Sequence, residues 1–148
     1  MENIKNLVEN LYSKDNKFAY ENLKLLLTES ERSNSVYNYF DRFTDMIEDK
    51  NSYIRSRGII LISANAKWDK ENKIEKIIDG YLKHIMDEKP ITARQCIKVL
   101  PDIAKYKPNL VGPIREALIK ANAGIYPDTM KSLIYKDIAS TLEQIKER

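Results

Sequence analysis

One spacing constrains this chain more than any other: its apolar residues come back 38 positions later. Val36, Tyr39, Phe40, Phe43 and Ile47 recur as Ile74, Ile77, Ile78, Tyr81 and Ile85. Gly58, Leu61, Ile62 and Ala66 recur as Cys96, Val99, Leu100 and Ala104 at the same interval, and Ile134, Ile138 and Leu142 extend the series. Most neighbours within a set stand three or four apart, the period of an amphipathic helix and not the alternation of a strand. Each interval holds two such helices and their turns, and a hairpin of that kind cannot bury its apolar stripe alone. The outer segments repeat more loosely. Ile4, Leu7 and Leu11 precede Phe40, Phe43 and Ile47 by 36, while Ala19, Leu23 and Leu27 precede Gly58, Ile62 and Ala66 by 39. Looser ends suit capping repeats that face solvent on one side.

The pattern predicts an all-α chain of eight helices, over 2–13, 16–30, 34–49, 52–68, 71–87, 90–106, 109–122 and 128–146. Paired, they make about four hairpins stacked as one curved α-solenoid in a single domain, residues 1–148, which is long enough to bury a core without staples. Asp15, Ser33, Ser52 and Asp128 are candidate caps, and Pro90 suits a first turn, where its missing N–H costs nothing. Pro101 and Pro113 fall inside expected helices, where each should bend or break the helix. Gly58, mid-helix, points to close helix approach. Asn65 lies in an apolar stripe and needs a partner at a loop carbonyl or a neighbouring helix end.

Asp49, then Arg55 after Ile54, then Gly58 and Leu61-Ile62, resembles the Asp and Val-Arg pattern of the HEAT-repeat family. The next unit keeps Asp87 and the region of Ile91 but has Ala93 where Arg55 would recur, with Arg94 one place later. The resemblance covers roughly residues 34–108, and the segment 49–104 is also similar to small uncharacterised bacterial HEAT-like proteins. It implies a right-handed α-α superhelix and structural, inter-repeat roles for Asp49, Arg55 and Asp87. It implies no activity.

Composition removes several function classes. One cysteine and one histidine exclude a disulfide framework, a Cys/His zinc site and a histidine pair within one chain, so no metal or cofactor is expected. Twenty-five Lys plus Arg against 22 Asp plus Glu leave +3, far below the excess of a dedicated nucleic-acid arm. The N-terminus mixes signs and lacks the basic start and apolar centre of a secretory signal, and Ile59-Ile60-Leu61-Ile62 is too short to cross a bilayer. Cys96 among Ile97, Val99 and Leu100 reads as an inert core thiol, and a reducing cytoplasm is the expected compartment. No Gly-x-Ser-x-Gly elbow and no glycine-rich phosphate loop exist, and His84 has no second histidine to work with. Trp68-Asp69, beside Lys67, invites comparison with HEAT-like alkylpurine DNA glycosylases, but Tyr106 recurs 38 positions after Trp68 and marks a repeat-end packing place.

In HEAT-like solenoids the second helix of each hairpin lines the concave side. Opposite the apolar stripes the wheel places Lys17, Glu21, Lys24 and Thr28; Ser56, Ile60, Ser63 and Lys67; Arg94, Lys98, Pro101 and Lys105; then Ser132, Lys136, Ala139 and Glu143. The candidate groove residues are therefore Lys17, Lys24, Ile60, Lys67, Arg94, Lys98, Lys105 and Lys136, with an apolar spot near Ile60 and Pro101. A solvated lysine face explains the same row without function. The function expected is a non-enzymatic interaction or scaffold module, holding a protein segment that bears acidic residues near an apolar anchor. The alternative is a nucleic-acid binder, with base-modifying chemistry as a remote extension. A third reading is an assembly subunit that self-associates through surface tyrosines Tyr37 and Tyr39.

Overall fold

The computed structural model describes residues 3–146, and among them there are eight α-helices and no strand. They are α1 (Ile4–Asn10), α2 (Asn16–Arg32), α3 (Phe40–Met46), α4 (Ser52–Ala64), α5 (Lys73–Leu82), α6 (Pro90–Tyr106), α7 (Val111–Lys120) and α8 (Asp128–Lys146). The fold is all-α as expected, with the helices where the apolar period places them. Residue 2 of the first expected helix lies outside the described residues. Several expected helices end or begin in a tighter 3₁₀ turn: Val36–Tyr39 leads into α3, Ala66–Trp68 follows α4, Lys83–Met86 follows α5 and Pro108–Leu110 leads into α7. Such turns give backbone groups at helix ends, which the α pattern leaves orphaned, a partner three residues away.

The caps differ in detail from the sequence reading. Asp15 caps α2, its carboxylate accepting from Phe18 N at 3.1 Å. Ser33 instead ends α2. Asn51, not Ser52, caps α4, accepting from Tyr53 N at 2.8 Å. Asp128 opens α8 as its first residue. Asn72 starts α5 in the left-handed region, φ 57°, which asparagine tolerates better than most residues.

The chain forms two compact units, Met1–Glu71 and Asn72–Arg148. In the first, α1 packs on α2, and α4 packs on both α2 and α3. Gly58 is the reason α3 and α4 can meet: a Cβ there would stand 2.8 Å from Met46 Cβ and 2.9 Å from Phe43 O. Arg57 reaches from α4 to Leu11 O at 2.8 Å and Asn16 Oδ1 at 3.1 Å, satisfying the carbonyl that ends α1. Burial pulls its pKa down from the usual arginine value. At the other end of α4, Asn65 donates to Ser30 Oγ at 3.2 Å and Leu61 O at 2.9 Å. Contacts at 16–57 and 30–65 advance together, so α2 and α4 run parallel. The buried stripe of α2 is Ala19, Asn22, Leu23, Leu26 and Ser30, with Leu26 in the place expected for Leu27.

In the second unit α6 and α7 pack on α8, and the 83–86 turn packs on α6. The bonds from Arg94 to Asp137 and from Thr141 to Ile97 run α6 and α8 parallel. Of the two outcomes expected at Pro101, a break does not occur: α6 continues from Pro90 to Tyr106. Proline has no N–H for the carbonyl of Ile97, four residues earlier. The Thr141 hydroxyl on α8 donates to that carbonyl at 3.1 Å, and Thr141 is itself buried. Pro113 falls in the first turn of α7, where an N–H would be unused by the helix anyway.

Candidate binding faces on the second helices

The two central hairpins can be built up side by side from the same positions. In residues 36–69, Val36, Phe40, Phe43 and Ile47 are buried; in residues 74–107, Ile74, Ile78, Tyr81 and Ile85 are. Asp49 Oδ1 accepts from Asn51 N at 2.8 Å, and Asp87 Oδ1 from Lys89 N at 2.9 Å. Arg55, buried, donates to Asp49 O and Lys50 O, both at 3.0 Å, and so holds the loop that enters α4. Ala93, at the matching place, is buried without a polar group to satisfy.

Each hairpin is closed at its open end by a polar contact. In the first, Tyr37 donates to Asp69 Oδ1 at 2.5 Å, and burial, with the carboxylate, pushes the phenol far up. In the second, Lys107 Nζ stands 3.1 Å from Glu75 Oε1 and donates to Asn72 Oδ1 at 3.1 Å. Burial pulls Glu75 up, but Asn109 and Lys107 more than offset it and hold the carboxyl below its usual value. Tyr37 is 7% exposed, so the surface role expected of it is wrong: its hydroxyl is spent inside the hairpin.

Trp68 and Asp69 are likewise engaged locally. The Trp68 indole donates to Ser30 O at 2.6 Å, pinning the end of α2. His84 Nδ1 lies 2.7 Å from Asp87 Oδ2, and Tyr126 donates to Asp87 O at 2.6 Å. Burial, followed by the nearby Asp87, pushes Tyr126 up to about 12. Cys96 is fully buried and its thiol is pushed far up by burial, which fits the inert thiol expected. An open cleft of about 370 Å³ between α5 and α7 is lined by Asp79, Lys83, Glu116 and Lys120 among others, and its charges nearly cancel. No group of three or more potential metal ligands occurs among the described residues.

The candidate basic row divides when placed on the structure. Lys17, Lys24, Lys98, Lys105 and Lys136 are exposed. Lys24 lies over the Tyr20 ring at 5.1 Å and Lys105 over Tyr106 at 5.2 Å. Lys67 is half-buried, donating to Glu31 O at 3.1 Å over the Trp68 ring. Arg94 is not a free cation: its Nε donates to Asp137 Oδ2 at 2.6 Å, and that bond raises its pKa. Ile60 is half-buried, while Ser63 and Pro101 are buried, so the apolar spot expected at Pro101 is absent. The exposed large apolar residues on α6 are instead Ile91, 59% exposed, and Tyr106, 42% exposed, at its two ends.

No described helix is long and apolar enough to cross a membrane. Comparisons with family models, with curated proteins and with solved structures find no match to this chain.

Proposed function

We propose that this chain is a HEAT-like helical-hairpin interaction module of the cytoplasm, not an enzyme, whose second helices hold an acidic protein segment. The observation that carries the reading is the set of lysines on those helices that face solvent: Lys17, Lys98 and Lys136 make no ion pair or hydrogen bond among the described residues. Cations elsewhere on the surface, such as Arg42 with Glu9 and Lys120 with Glu116, are matched by acids at 2.8 and 2.6 Å. An unmatched cationic face favours association with anionic partners. The repeated hairpin supports the family reading, since stacked hairpins offer long surfaces and few deep pockets. The engagement of His84, Trp68 and Asp69 in local bonds supports the non-enzymatic reading.

Fluorescence anisotropy with a labelled glutamate-rich peptide and a random DNA duplex, each at low and high salt, tests it. The peptide should bind the native chain and lose about tenfold or more in affinity to a Lys98→Glu/Lys105→Glu variant of unchanged helicity. Equal affinity for the variant contradicts the reading. Tighter, steeply salt-dependent binding of the duplex replaces the protein partner with a nucleic acid.

A further inference from the structure

In the second unit α8 repeats a face that is buried on α6. On α6, Ile97, Pro101 and Ala104 are buried, and α8 lies against that helix with Thr141 bonded to Ile97 O. Their counterparts 38 positions on are Tyr135, Ala139 and Leu142 of α8. Here Tyr135 is 45% exposed, Ala139 is exposed and Leu142 is half-buried. At about 100° per residue, Tyr135 and Leu142 stand roughly 40° and 60° to one side of Ala139, and Lys136 and Glu143 roughly 60° and 40° to the other. Lys136 and Glu143 lie about 10 Å apart along the helix, too far to pair with each other. Both are exposed, and neither makes an ion pair or hydrogen bond among the described residues. The nearby charges Lys131 and Asp128 lie 3.9 Å from each other, and Arg115 of α7 donates to Leu142 O at 3.2 Å.

We infer that this face of α8 is the seat of a twofold dimer, in which the α8 helices of two copies of this chain cross antiparallel at Ala139. A twofold axis across the pair sets each side of the helix against the same side of its copy, and residues before Ala139 against residues after it. Tyr135, about 6 Å before Ala139, then meets Leu142 of the second copy, about 4.5 Å after it. Lys136, about 4.5 Å before, meets Glu143 of the second copy, about 6 Å after. Both matches form twice. The small side chain of Ala139 on the axis lets the two helices approach. A parallel pair would instead set Lys136 against Lys136 and Glu143 against Glu143. The face therefore selects its own copy, in which an apolar pair and an ion pair lie in the complementary order. A single helix pair is a small interface, so the association is reversible and concentration-dependent. The inference goes beyond the proposed function and shares with it only Lys136.

Sedimentation equilibrium of the full chain over a range of concentrations tests it. The native chain should pass from monomer to dimer. Ala139→Arg sets two cations on the axis but keeps a strong helix former, so it should stay monomeric with the native thermal transition. Glu143→Lys should weaken the dimer about fivefold or more, and the exchange Lys136→Glu/Glu143→Lys should restore it. A native chain that stays monomeric up to about 1 mM overturns the inference. So does an Ala139→Arg variant that dimerises as well as the native chain, or a charge exchange that fails to recover the dimer. Lys98→Glu/Lys105→Glu, which tests the proposed function, lies on α6 and should dimerise as the native chain does; loss of the dimer in that variant would overturn the placement on α8.

Discussion

The hairpin at residues 36–69 and the hairpin at residues 74–107 make the same contacts with different atoms. Where α4 approaches α3, Gly58 leaves room for Phe43 O and Met46. At the matching place α6 carries Cys96, whose thiol reaches Tyr81 O at 3.8 Å. The interval is the same for donor and acceptor: 58 becomes 96, and 43 becomes 81. Likewise the Tyr37–Asp69 bond and the Glu75–Lys107 pair join equivalent positions, one with a neutral donor and the other with a cation. Burial is set by the helical period and survives in both copies. The polar chemistry that fills each junction is free to change, since a neutral hydrogen bond and an ion pair can each satisfy a buried carboxylate.

The largest effect should come from exchanging residues between the copies. Gly58→Cys puts a side chain where Met46 Cβ and Phe43 O already stand, and should cost about 3 kcal/mol of stability in chemical denaturation. Cys96→Gly removes a small buried side chain and loosens a helix, for about 1 to 2 kcal/mol. If Gly58→Cys is no worse than Cys96→Gly, the two junctions are not packed as described. Next in size is Tyr37→Phe, which takes a donor from the buried Asp69 carboxylate and should cost about 2 kcal/mol. The same denaturation curves measure it, and a loss below a few tenths would deny the Tyr37–Asp69 bond its role.

A smaller effect distinguishes the copies at Ser63 and Pro101, which are 38 positions apart. Ser63 turns its hydroxyl to Ile60 O at 2.8 Å within its own helix. Pro101 leaves a carbonyl that only the neighbouring helix can reach. Thr141→Val should cost about 1 kcal/mol, and less once Pro101→Ala restores an N–H to Ile97 O. Additive effects in that double-mutant cycle would break the link between the two residues.

The smallest effect is in pH, and its sign differs between the hairpins. Tyr37 is raised in the folded chain, so its contribution is complete below the ordinary phenol value near 10 and is lost as pH rises through the folded value. Glu75 is lowered, so its contribution is complete above the ordinary value of 4.5 and is lost as pH falls through the folded value. Amide exchange should therefore show the first hairpin loosening in alkali, and the second in acid. Glu75→Gln should remove the acid component. Identical pH profiles for the two hairpins would contradict this.

The hairpins themselves were legible in the sequence because burial of Val36, Phe40, Phe43 and their counterparts follows from period alone. The candidate faces were less legible, for two physical reasons. A helical wheel assumes one buried stripe, but α4 is buried nearly all round, from Ile54 through Ser63, so it has almost no opposite face to read. A wheel also says nothing of register between helices. The Arg94–Asp137 bond, the reach of Arg57 to Leu11 and the bond from Thr141 to Ile97 O all depend on which turn of one helix meets which turn of another. Arg57 had one local signal, a cation immediately before the apolar run from Gly58 to Ile62, and that signal points to burial with a partner.

The central claim is that residues 36–69 and 74–107 are one hairpin built twice. A crystal structure of the chain tests it most directly, by superposing the two segments on each other. The account predicts a gap-free match in a single register, with Gly58 over Cys96, Phe43 over Tyr81 and Asp69 over Lys107. A best match that needs a shifted register, or an insertion within either helix, would contradict it.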